Sequence, residues 1–62
     1  MKLEITMNLN NAAFEDNGAD EIRRILRDYS RSLSDNLQDE RWGNKPLVDS
    51  NGNHCGTAEI TE

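Results

Sequence analysis

His54 and Cys55 stand side by side in a chain of 62 residues that has no other histidine or cysteine. An imidazole beside a thiol could form a nucleophile–base pair, and both groups are zinc ligands. The spacing speaks against each. Consecutive residues of a strand point to opposite faces, so these two side chains diverge. A closed zinc site takes about four ligands, and one His with one Cys falls short. The expectation is a cross-strand polar pair between His54 and Asp49, with Cys55 packed as a small, half-buried apolar group.

The run Asp49-Ser50-Asn51-Gly52-Asn53 places oxygen donors at alternate positions, as the start of a calcium-binding loop does. The sixth position, where such a loop bends at glycine, is His54, and the twelfth, where it needs a bidentate glutamate, is Ile60. A hairpin turn explains these residues better. Glu15-Asp16, Asp20-Glu21 and Asp39-Glu40 are paired carboxylates. They could do acid–base chemistry only in a concave, partly dry site that separates their pKa values. A domain this thin has little room for one. The chain is therefore expected to be non-enzymatic, with neither metal nor cofactor.

Twelve acidic and seven basic side chains leave a net charge of −5. That argues against non-specific binding to nucleic acid or anionic membrane, which need a basic footprint, and suits a basic partner surface. Arg23, Arg27 and Arg31 form an i, i+4, i+8 row. With Arg24 they exceed the nearby acids Asp20, Glu21 and Asp28 by one, so the rest of the chain carries −6. The spacing pairs Arg24 with Asp20 and Asp28. An ion-paired, solvated helix face and an arginine surface for an acidic partner both fit that row.

The elements that hold these groups follow from period. Lys2 to Asn10 alternate, with Leu3, Ile5, Met7 and Leu9 on one face, which predicts a strand buried on one side. Asn17 is the expected N-cap of a helix, its side-chain oxygen accepting from the first turn. Ile22, Ile25, Leu26, Tyr29 and Leu33 then fall on one helical stripe. Asn51-Gly52 is the dipeptide of two-residue hairpin turns, tolerating positive φ at both positions. Centring the turn there pairs Asp49 with His54, Val48 with Cys55 and Leu47 with Gly56. Leu47, Gly56, Ala58 and Ile60 would face the helix, and Pro46 limits its strand to a start or an edge position.

The result is an α+β fold, β-α-β-β, with a single helix packed on a three-stranded antiparallel sheet of order 1-3-2. One domain is expected over 1–62: strand 2–10, helix 18–34, loop 35–45 and hairpin 46–61. Its expected core is Leu3, Ile5, Met7, Leu9, Phe14, Ile22, Ile25, Leu26, Tyr29, Leu33, Leu47 and Ile60. So short a chain sits near the lower limit for folding alone, and one cysteine permits no internal disulfide. A second subunit is the remaining aid. Neither a signal peptide nor a membrane-spanning stretch is expected, and the lone thiol suggests a reducing, cytoplasmic setting.

Three segments taken together resemble small proteins encoded by bacteriophages and prophages. They are Asn11-Ala12-Ala13-Phe14-Glu15-Asp16, Glu21-Ile22-x-Arg24-Ile25-Leu26 and Asp49-Ser50-Asn51-Gly52-Asn53-x-x-Gly56. The motifs are structural, so no functional residue transfers with them. What the resemblance implies is a host-cell setting and a class of acidic, cofactor-free inhibitors that includes the anti-CRISPR proteins. On that expectation Glu15, Asp16, Asp20, Glu21, Asp35, Asp39 and Glu40 contact a basic, nucleic-acid-binding surface of a host complex, and Trp42 anchors the interface. The alternative is a homodimeric structural or regulatory phage module.

Overall fold

The computed structural model describes residues 1–36 and 44–61. Strand β1 (Lys2–Met7) leads through a 3₁₀ turn at Ala12–Phe14 to helix α1 (Gly18–Ser32), then to strands β2 (Asn44–Val48) and β3 (His54–Thr61). All pairings are antiparallel and the sheet order is β1-β3-β2. The expected α+β architecture is therefore the observed one. Its boundaries shift: β1 stops three residues early, α1 ends at Ser32, and β2 already begins at Asn44.

Helix α1 starts by a different device from the expected cap. Asn17 adopts the left-handed conformation (φ 55°, ψ 42°) and its side chain makes no capping bond. Its backbone carbonyl instead accepts from the amides of Asp20 and Glu21, at 3.0 and 3.2 Å. Asparagine tolerates this region better than most residues, which is why the position accepts it. Asp20 and Glu21 still occupy the first turn, where the helix dipole favours negative charge. The helix ends where Leu33 turns extended.

The hairpin differs from the simplest reading in two compensating ways. Gly52 N–H donates to the Asp49 carbonyl and Asp49 N–H to that of Asn53. Among the described residues only Gly52 (φ 83°) and Asn17 have positive φ. This is a three-residue loop, Ser50–Gly52, closed by a glycine in the left-handed region. It pairs Val48 with His54, whereas Leu47 still opposes Gly56. Cys55 is the extra residue that restores the register, a bulge within β3. The expected Asp49–His54 pair does not form.

Gly56 is required where β1 crosses it. A Cβ there would lie 2.0 Å from the Thr6 carbonyl oxygen and 2.9 Å from Met7 Cα.

The core consists of Ile25, Tyr29, Leu47, Cys55 and Ala58, with Met7, Phe14 and Leu33 packed around it and Ile60 also buried. Leu47, Ala58 and Ile60 lie on the helix side, as their alternation demands. Leu3, Ile5, Leu9 and Leu26 are exposed, contrary to expectation. The helix lies toward β2, so its cover does not extend across β1. An amphipathic pattern identifies the apolar face of a strand; it cannot report whether a single helix is wide enough to reach it.

Candidate functional site

The densest polar arrangement lies where the start of α1 meets the hairpin loop. Glu21 is buried, although it lies in the first helical turn. One carboxylate oxygen accepts from Arg24 Nε at 2.8 Å and the other from the Ser50 amide at 3.0 Å. Hydrogen bonds from Ser50, chiefly its hydroxyl, and then from Arg24 hold the Glu21 carboxyl at about 2, against an ordinary 4.5. Arg24 also reaches Asp28 at 3.0 Å and the Val48 carbonyl at 3.1 Å. Its expected partner Asp20 pairs with Arg23 instead.

Asp49 is the second buried acid. One oxygen accepts from the amides of Asn51 and Asn53, each at 2.9 Å, and the other from Asn11 Nδ2 at 3.0 Å. The side chain thus closes the hairpin loop from within and ties it to the segment after β1. Of the oxygens that suggested a calcium loop, those of Asp49 are turned to the chain's own N–H groups. Buried carboxylates need such partners, because desolvation penalises an unpaired charge.

His54 is exposed and Cys55 buried, the divergence that strand geometry requires. Cys55 Sγ lies 3.4 Å from the Leu47 carbonyl. Burial pushes its thiol pKa above the ordinary range, which suppresses the reactive thiolate. A groove of about 360 Å³ runs between α1 and β2, lined among others by Arg24, Asp28, Tyr29 and Lys45. Arg24 and Asp28 are bonded to each other, and Lys45 donates to Ser32 at 3.1 Å. Among the described residues, no three His, Cys, Asp or Glu side chains converge as a metal site would need.

The expected partner-facing residues separate into groups. Glu15, Asp16 and Asp20 are exposed around the start of α1. Neither Glu15 nor Asp16 takes part in an ion pair with a described residue. Glu21 is committed inside the fold, so its expected contact with a partner is withdrawn. Asp35 is exposed past the opposite helix end, on the order of 20 Å away at 1.5 Å per residue. Asp39, Glu40 and Trp42 lie outside the described residues.

The open sheet face adds two acids that sequence reasoning did not single out. Glu4 stands opposite Glu59 across β1 and β3. Lys2 bonds Glu4 at 2.8 Å and lowers its carboxyl pKa. Alternation put Glu4 on the polar face; only the β1–β3 register could place Glu59 beside it.

No helix among the described residues is long and apolar enough to cross a membrane. No protein-family model, curated protein or solved structure matches the chain.

Proposed function

We propose that this chain is a non-enzymatic binding domain that docks on a basic surface of a host protein complex, one that itself binds nucleic acid, and inhibits it. The phage-type resemblance supplies the setting: the cytoplasm of a bacterial host, and action of the anti-CRISPR kind. One observation carries the reading. Glu15, Asp16 and Asp20 are exposed around the start of α1, and two of the three have no ion-pair partner among the described residues. A protein that needed acids only for solubility could scatter them; here they meet at one end. The dipole of α1 favours negative charge at that end and so helps to hold the cluster there.

Capture from bacterial lysate on immobilised full-length chain tests this at low and high salt. A nucleic-acid-binding complex recovered at low salt and lost at high salt supports the reading, since interactions between exposed charges are screened. Recovery unaffected by salt, or by Glu15→Lys with Asp16→Lys, would overturn it.

A further inference from the structure

The two edges of this sheet are treated differently. The β2 edge is blocked two ways: Pro46 lacks an amide, and Arg24 occupies the Val48 carbonyl. Edge strands in proteins that stay monomeric carry such devices because unpaired backbone invites another strand. The β1 edge has neither, and its charged side chains, Lys2 and Glu4, are bonded to each other. Asn8 N–H donates to the Cys55 carbonyl at 2.7 Å, and antiparallel bonding alternates, so the even-numbered residues of β1 bond to β3. The amides and carbonyls of Leu3, Ile5 and Met7 therefore point away from the sheet. Beside them Met1, Leu3 and Ile5 remain 54, 49 and 39 % exposed.

We infer that β1 pairs antiparallel with β1 of a second copy of this chain. The two sheets then join as β2-β3-β1-β1-β3-β2 about a two-fold axis normal to the sheet. Charge selects the register. Placing Glu4 against its symmetry mate would set like charges directly opposite, which destabilises a pair. Sliding the strands so that Leu3 faces the partner's Leu3 puts each Lys2 opposite the partner's Glu4 and each Ile5 opposite the partner's Met1. The Lys2–Glu4 pair already formed within each strand then becomes a square of alternating sign. Pairing over Met1 to Ile5 buries less than the roughly 1,200 Å² of a stable specific interface, so the dimer is expected to be weak and to form toward millimolar concentration. This inference does not depend on the basic-partner reading, since the helix-start acids stay outside the junction.

Sedimentation equilibrium of the full chain from micromolar to millimolar concentration tests it. The mass should rise from 7.1 kDa toward twice that value. Leu3→Lys, at an exposed position, should leave a monomer with unchanged circular dichroism. Lys2→Glu and Glu4→Lys should each weaken self-association roughly tenfold, while an equimolar mixture of the two recovers it. The inference is overturned by a monomer at every concentration. A dimer indifferent to Leu3→Lys, or a mixture no tighter than its components, would overturn it as well.

Discussion

Two carboxylates in this molecule work inward. Asp49 accepts three hydrogen bonds from the loop it closes and from Asn11, all at or below 3.0 Å. Asp49→Ala would leave those donors without their acceptor, and a loss of about 2–3 kcal/mol is expected in urea unfolding. Glu21 makes stability depend on pH. Its folded pKa, about 2, lies below the ordinary 4.5, so its contribution is fully present above about pH 4.5. It is lost as pH falls from there toward 2, because the unfolded chain binds the proton first. Thermal melts across that window should show a steep decline that Glu21→Gln flattens. A wild-type slope equal to that of the variant would contradict the assignment. The sequence placed both acids in plausible spots, a helix start and a turn. Their burial was not legible there, because it arises when the hairpin loop folds back onto the first turn of α1.

The first strand and the helix were legible from period and the hairpin from its turn dipeptide, and each departure has a local cause. The alternation of β1, the stripe of α1 and the Asn51-Gly52 signal predict the strand–helix–hairpin order observed. The turn departs because Asp49 binds the amides of Asn51 and Asn53, favouring a three-residue loop over the two-residue form. That shift would have rotated every later residue of β3 to the wrong face, and the Cys55 bulge reverses it. Gly56 is the element-scale linchpin, since β1 passes within the space of a methyl group. Gly56→Ala should cost about 3 kcal/mol by overpacking and should release β1 first. Faster hydrogen exchange at Thr6 and Asn8 than at the amides of α1 would show that order of loss. Equal protection of β1 in the variant and the parent would refute it.

At the scale of the molecule, one helix is too narrow for three strands. The uncovered side leaves Leu3 and Ile5 exposed along an open edge, and the acids divide between interior struts and an outward cluster at the start of α1. The net charge of −5, and −6 outside the helix, was legible from composition; its division between Glu21 inside and Glu15, Asp16 and Asp20 outside was not. Recognition by exposed carboxylates is the central claim. It is tested most directly by titrating the captured complex with the full chain and its Glu15→Lys, Asp16→Lys, Asp20→Lys variant at about 50 and 500 mM salt. The account predicts at least tenfold tighter binding of the parent at low salt, with most of that advantage gone at high salt. Equal affinities for parent and variant at both salt concentrations would contradict it.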